Sequence, residues 1–526
     1  MTAGKKGSDT SFPVLIGLIV PMIFYLGIMS SVAFCGSYLL LANFFHDDAF
    51  FYIKTAQNIS IGLGSTFDGL NETNGYHPLW LLFLVLLAKI NPFYGFDGLR
   101  PLFLVHGMLV CASSLTGWRT LGFLGVSNVW RFIFTLFLIG FMGFSDLALE
   151  SGLYTLTAYL SLLVSICLVT RGKSTVLEYS LIAISFLIVL TRLDSIIFQL
   201  CLGGGFFILS LCQRGARSRT RNLLYIPSLL IVPSIVAFLI VGLYNYFQYG
   251  NFETISSYLK TGYPGSLITG WFENSILGIK VRMLGVFFAG LFLSAWFIYR
   301  QNLVDNQKRS VERLLAAAMF YPVFHPLILY FGAIGGVASW YFTLDIGLVI
   351  LGAVYLAYNF ENLAVGRARV WRAVRYLSVL MVLSFVVIYL YPRFHNPHRL
   401  PQLTMAKWLK QNVAPAEAIY QVDGTGFTGY FSERSVINGD GLINGWDYQK
   451  ALQSDELLVY LKAKGVRWMV CHSSAAEGSV SLTIPGWKGA AKRVGTASTE
   501  NARFVFRNYS VFSLDDFFFA QPAKLN

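Results

Sequence analysis

Apolar residues fill most of the first 392 positions in long runs separated by short polar loops, and this pattern stops after them. A helix that crosses a bilayer needs about 20 mostly apolar residues. Eleven runs are candidate spans, several of them short and reliant on flanking apolar residues to reach across: 12–41, 101–118, 132–145, 152–170, 178–191, 196–212, 223–246, 277–299, 314–335, 341–358 and 376–392. A further run, 77–90, is apolar and short, and counting it as a span would put the Arg119 to Arg131 loop outside and invert the later pattern, so it reads as an interfacial or re-entrant helix. Beyond it the polar pattern takes over at 393. Turn signals such as Asp423-Gly424-Thr425-Gly426 and Gly439-Asp440-Gly441 punctuate a helical pattern at 403–411, strand-like runs at 418–422 and 466–471, and a helix at 455–464. Strands alternating with helices predict a small α/β domain. The expected organisation is an α-helical polytopic membrane module over residues 1–392 followed by an α/β domain over 393–526.

Composition agrees. The chain has 526 residues, 55% of them hydrophobic and 13% charged, with a mean hydropathy of +0.58, which excludes an ordinary soluble globule. The net charge of +13 could suggest nucleic acid, but the basic residues are spread along the chain. They sit at Lys5 and Lys6, Arg119 and Arg131, Arg171 and Lys173, Arg214 to Arg221, Arg300 to Arg313, and Arg367 to Arg375. Every second loop is therefore basic, as the positive-inside rule expects. That alternation predicts a multi-pass protein of the inner (plasma) membrane, its N-terminus cytoplasmic and its C-terminal domain extracytoplasmic. No nucleic-acid partner is expected. The first apolar run lacks a small-residue cleavage site and reads as an uncleaved span. The six cysteines show no metal-ligand spacing and read as small packing residues.

On this topology the unusual polar residues collect on the outer face. Asp47 and Asp48 follow the first span among Phe44, Phe45, Phe50 and Phe51. Carboxylates at a lipid boundary are costly, and a helix cap accounts for one of them but not both. Such a pair suits a general base or a divalent cation (Mg or Mn), although no dedicated ligand set is visible. Next comes the turn Asn74-Gly75-Tyr76-His77-Pro78-Leu79-Trp80, where Pro78 starts a helix and His77 can reach a phosphate. Asp146 and Glu150 flank another outer turn. Arg192-Leu193-Asp194 forms a third, where the charges either neutralise each other or offer a planar guanidinium to an anion. Tyr258 and Lys260 close a tyrosine-rich loop, and Trp340-Tyr341 marks the last outer turn. An aromatic belt accounts for the tyrosines and tryptophan cheaply. Asn58-Ile59-Ser60 and Asn71-Glu72-Thr73 match glycosylation sequons, a pattern common by chance.

In order and sidedness, Asp47-Asp48, Asn74 to Trp80, Ser151-Gly152, Thr191 to Asp194, Tyr249-Gly250 and Ser257 to Lys260 resemble the GT-C membrane glycosyltransferases. Among these they are similar to the mycobacterial arabinofuranosyltransferases of the AftB type and related bacterial proteins. The chain departs from that pattern at Leu193, where the turn usually carries proline, and at the Asn-Gly-Tyr-His turn, which is usually more acidic. The resemblance implies a GT-C fold. It also implies transfer of a sugar, arabinofuranose in the AftB type, from a polyprenyl-phosphate-linked donor to a glycan or glycoprotein acceptor outside the membrane, with inversion. Asp47 would be the general base, with Asp48 orienting it or the acceptor; His77, Arg192 and Lys260 would be the candidates for the lipid phosphate. Tyr76, Asp146, Glu150, Asp194, Tyr258, Trp340 and Tyr341 complete the expected substrate site. The rival class is a flippase or transporter of lipid-linked sugars, which would place its ionisable groups near the bilayer midplane and often show repeated halves.

Overall fold

The computed structural model describes residues 15–144, 146–212, 224–261, 274–300, 306–331, 338–363, 368–395, 399–454, 456–472, 479–484, 492–507, 509–516 and 518–519. Among these, nine helices are long and apolar enough to cross a membrane: Ile16–Cys35, Asp97–Phe123, Ser151–Arg171, Leu193–Leu211, Tyr225–Tyr249, Met283–Arg300, Arg309–Tyr330, Trp340–Leu363 and one that begins at Ala368. Two of the eleven expected spans, 132–145 and 178–191, correspond to the shorter apolar helices Asn128–Met142 and Thr175–Thr191. The expected first span, 12–41, is also interrupted. Its helix stops at Cys35, Gly36 turns extended, and a separate short helix Tyr38–Ala42 follows. A Cβ at position 36 would collide with the Val32 carbonyl, so only glycine lets the chain turn there. Lys5 and Lys6 and the basic cluster Arg214 to Arg221 lie outside the described residues.

The apolar run 77–90 forms the helix Pro78–Ile90 of 13 residues, short of a span. It packs against the helix Asp47–Ser60, which in turn contacts the C-terminal region. Pro78 occupies the first helical position, where its missing N–H costs nothing. These two helices form a layer between the apolar bundle and the C-terminal elements.

Past the helix Ala368–His395 and the helix Leu400–Asn412, the chain builds strands β1 (Ala418–Gln421), β2 (Ser435–Asn438), β3 (Val466–His472), β4 (Ser479–Ile484), β5 (Lys492–Ser498), β6 (Phe504–Phe506), β7 (Tyr509–Ser513) and β8 (Phe518–Phe519). One sheet runs β2-β1-β3-β7-β6, with β1 parallel to both β2 and β3, and β7 antiparallel to both β3 and β6; the other is β4-β5-β8. Helices Trp446–Gln453 and Leu457–Ala463 precede β3, where a single helix at 455–464 was expected. The Asp423-to-Gly426 signal does more than turn. Gly424 is left-handed (φ 72°) and opens the helix Thr425–Ser432. That helix carries Phe427, Tyr430 and Phe431 into the same buried cluster as the membrane helices, against Phe50. Burying each such ring is worth about 1.5–3 kcal/mol. The Tyr430 hydroxyl also donates to the Phe93 and Gly95 carbonyls. This short helix is therefore a bolt between the α/β elements and the bundle, beside Leu403 and Ala406 of the helix Leu400–Asn412 in the same cluster.

Candidate functional site

The bolt decides the geometry of the aspartate pair. Asp47 and Asp48 are the first two residues of the helix Asp47–Ser60. Adjacent helical positions point about 100° apart, so the two carboxylates serve different neighbours. Asp47 turns toward the helix Thr425–Ser432: its Oδ2 accepts the Gly426 amide at 3.0 Å and its Oδ1 the Phe427 amide at 2.8 Å. An anion on the free amides of a helix N-terminus is favoured by hydrogen bonding and by the helix dipole. Burial raises the Asp47 carboxyl above its usual range, and these amides together with Arg399 oppose that rise. Arg399 also donates to the Phe45 carbonyl at 3.1 Å and lies over the Phe427 ring, closing the joint.

Asp48 turns the other way, into a cavity of about 310 Å³. Its wall is assembled from sequence-distant turns. Tyr76 and His77 come from the turn before Pro78, Glu150 from the turn before the helix Ser151–Arg171, and Arg192 and Asp194 from the corner between two helices. Lys260 comes from the short helix Ile255–Thr261, and Trp340 and Tyr341 from the turn Ser339–Phe342. The structure thus brings together nine of the twelve expected site residues. Asp47, Asp146 and Tyr258 do not line the cavity. Leu442 and Ile443 from the C-terminal region close one side, and the Leu442 carbonyl sits so near Gly75 that a Cβ there would collide.

Electrostatically the cavity opposes carboxylates and cations. Burial pushes the Asp48 carboxyl up to about 6; Lys260 pulls it down, while Asp47, Glu150 and Asp423 push it further up. The Lys260 ammonium donates to the Tyr341 hydroxyl at 2.6 Å. Burial works against its charge, but Tyr341 and Asp48 together hold its pKa above the ordinary value. Arg192 is fully buried and grips Asp194 with two parallel bonds, Nε to Oδ1 at 2.8 Å and Nη2 to Oδ2 at 2.9 Å. The Tyr341 ring lies 4.4 Å from the guanidinium, a cation–π contact. Glu150 sits between His77 (3.8 Å) and Arg192 (3.9 Å), at ion-pair rather than hydrogen-bond distance. Burial lowers the His77 pKa more than Glu150 raises it, so its ring is neutral at pH 7.

The remaining expected residues have other partners. Asp146 accepts from the Thr343 hydroxyl at 2.9 Å and lies 3.6 Å from the His46 ring, which packs on Trp340. Both Asp146 and Ala148 adopt positive φ (58° and 60°), a conformation costly for residues with a Cβ. A parallel bridge between Phe45 and Leu147 and a bond from the Trp80 indole to the Ala148 carbonyl hold that turn beside the aspartate pair. Tyr258 packs on Trp446, outside the cavity. Asn71 and Asn58, of the two sequons, are both buried and bonded within the fold.

Three ionisable groups near the site were not among the expected site residues: His325 and Asp345 carried no signal in the sequence, and Asp440 read only as part of a turn. Asp440, pushed up to about 7 by burial and then by Asp48 and Asp423, sits in the turn after β2, and its Oδ1 accepts the Leu442 amide. His325 and Asp345 stand behind Asp194, inside the bundle. The Gly439-Asp440-Gly441 turn was legible as a turn, but nothing local tied it to a position nearly four hundred residues earlier. Among the described residues, no group of three His, Cys, Asp or Glu side chains is arranged to hold a metal ion.

A domain of unknown function (DUF8728) matches residues 394–512. No curated protein matches the chain. Among solved structures, the apo oligosaccharyltransferase of Archaeoglobus fulgidus is similar at 11% identity and a TM-score of 0.49, over 88% of this chain and 70% of that one. The same enzyme tethered to an acceptor peptide containing the NVT sequon gives 11% and 0.48, over 87% and 69%. ArnT of Cupriavidus metallidurans bound to undecaprenyl phosphate gives 12% and 0.46, over 86% of this chain and 93% of that one.

Proposed function

We propose that the cavity is the reaction site of a membrane glycosyltransferase that uses a polyprenyl-phosphate-linked sugar. The observation that carries this reading is the opposition of one raised carboxylate, Asp48, to two fixed cations, Arg192 and Lys260, across one cavity at the edge of an apolar bundle. The acceptor hydroxyl attacks the anomeric carbon and gives its proton to the Asp48 carboxylate. The bond from that carbon to the phosphate oxygen breaks on the opposite face, so configuration inverts. The lipid phosphate leaves with the electron pair, and its growing charge meets Arg192 and Lys260, which are already in place. A base with a pKa near 6 is ionised at neutral pH yet basic enough to take the proton.

This reading exchanges the roles that the sequence suggested for the aspartates. Both Asp47 oxygens are committed to backbone amides, which leaves Asp48 as the base and makes Asp47 the joint. His77, neutral and beside Glu150, is a hydrogen-bond donor to the departing phosphate. Arabinofuranose remains the sugar that the sequence resemblance implies, with a glycan or glycoprotein on the extracytoplasmic side as acceptor.

The buried chain of ionisable groups behind Arg192 favours a second reading, a transporter of lipid-linked sugars. Deleting the gene and comparing envelope glycans by mass spectrometry separates the two. A transferase leaves acceptors lacking one sugar residue, restored by the wild-type protein but not by Asp48→Asn. A transporter leaves intact transfer wherever donor is supplied from outside; a missing hexose, rather than a missing pentose, would contradict the arabinose reading.

A further inference from the structure

Behind the cavity wall lies a set of buried polar side chains that the proposed chemistry does not use. His325 and Asp345 are both fully buried within the bundle. The His325 Nδ1 lies 3.0 Å from one Asp345 oxygen and 3.2 Å from the other. Its Nε2 faces the Asp194 Oδ2 at 3.8 Å, an ion-pair distance, and has no hydrogen-bond partner. The Tyr321 ring stacks on His325 at 4.8 Å and 11°. Tyr321 accepts from the Tyr154 hydroxyl at 2.9 Å, and the Tyr154 ring lies 5.5 Å from the Arg192 guanidinium. The contacts close a ring from Arg192 through Asp194, His325, Tyr321 and Tyr154 back to Arg192.

Ionisable groups inside an apolar bundle are expensive and persist where they do something. A lone Arg192–Asp194 pair would be a poor anion receptor, because Asp194 already saturates the guanidinium edge carrying Nε and Nη2. The two Nη1 hydrogens and the second Nη2 hydrogen remain, and Nη1 has only a 3.5 Å contact to the Trp340 carbonyl and Glu150 at 3.9 Å. An incoming phosphate must share the Arg192 charge with Asp194, and a buried carboxylate that loses part of its partner is costly.

We propose that the His325–Asp345 pair is a positioning device for Arg192: it holds the Asp194 carboxylate from behind, so that the guanidinium stays oriented while its Nη1 side turns to a phosphate in the cavity. Asp345 orients the imidazole through Nδ1, and the idle Nε2 takes up the Asp194 oxygen as Arg192 shares its charge. His325 and Asp345 touch no substrate. The inference rests on the reading of the cavity as a lipid-phosphate site.

The test uses the full chain in nanodiscs with undecaprenyl phosphate as probe, binding being followed by tryptophan fluorescence. His325→Gln and Asp345→Asn each weaken binding about tenfold, whereas in an Arg192→Ala background neither adds to the loss, the signature of residues acting through a shared partner. Asp345→Asn, which keeps shape and volume, stands in if His325→Gln does not fold. Unchanged affinity in folded His325 and Asp345 variants, or an equal loss with and without Arg192, overturns the positioning role. If Arg192→Ala itself leaves undecaprenyl phosphate binding intact, the phosphate-site reading fails first and the inference falls with it.

Discussion

Asp48 is where one residue carries most of the account, and its titration gives a direct consequence. Its carboxyl is raised to about 6 by burial, against an ordinary value of 3.8. Transfer therefore falls as pH drops through about 6, close to tenfold per unit below it, because the base must be ionised. Lys260→Ala removes the cation that opposes the rise, so the same profile shifts to higher pH. Stability runs in the other direction. With the folded pKa above the unfolded one, the contribution of Asp48 is fully present below pH 4 and is lost as pH rises through about 6. Asp48→Asn should thus stabilise the fold at pH 8 by no more than about 3 kcal/mol for a shift of this size, read as a higher Tm, and the gain should vanish near pH 4. A profile that does not move in Lys260→Ala, or an Asn variant equally stabilised at both pH values, would contradict the assignment.

At the scale of elements, the controlling feature is the helix Thr425–Ser432 seated on Asp47. A Cβ on Gly426 would strike the Asp47 carbonyl oxygen, so Gly426→Ala pushes the helix off its seat. The cost should be about 1–3 kcal/mol, seen as a lower Tm together with faster proteolysis between the bundle and the C-terminal strands. Asp47→Asn should produce a similar, milder loss, since an amide can accept one of the two N–H groups but leaves the other unsatisfied. Unaltered Tm and proteolysis in both variants would mean that the contact does not hold the halves together.

This joint also shows where the sequence stops being readable. Adjacent acids at the start of a helix announce an unusual site, and their local context is the same. Their difference comes from Gly426 and Phe427, some 380 positions away, whose amides claim one carboxylate and leave the other to the cavity. The cavity residues Tyr76, His77, Glu150, Arg192, Asp194, Lys260, Trp340 and Tyr341 were legible because each is a polar or belt residue in a loop or turn between apolar runs. His325 and Asp345 were not, since each sits alone inside an apolar run and only packing joins them to Asp194. The bounds of two short runs shifted for a related reason: the helices Asn128–Met142 and Thr175–Thr191 begin a turn before the apolar runs 132–145 and 178–191, in polar residues that the apolar pattern does not mark.

On the scale of the whole molecule, the basic-loop alternation and the position of the C-terminal sheets make one prediction together. Glu456, exposed between the two helices before β3, and Thr175, exposed after the loop of Arg171 and Lys173, belong on opposite sides of the membrane. With the exposed Cys35 and Cys212 replaced by serine, an impermeant maleimide should label Glu456→Cys on intact cells and Thr175→Cys only after permeabilisation. Labelling of both from one side would overturn the topology, and with it the placement of the cavity on the outer face.

In the proposed chemistry Asp48, and not its neighbour, performs the proton transfer. Release of polyprenyl phosphate from a labelled polyprenyl-phosphate arabinofuranose donor in the presence of an acceptor glycan, measured on folded wild-type, Asp48→Asn and Asp47→Asn proteins side by side, tests it most directly. Asp48→Asn should slow release about 10²–10⁴-fold while Asp47→Asn, less stable, should keep most of its turnover. Full turnover in Asp48→Asn, or a folded Asp47→Asn protein that is the inactive one, would contradict it.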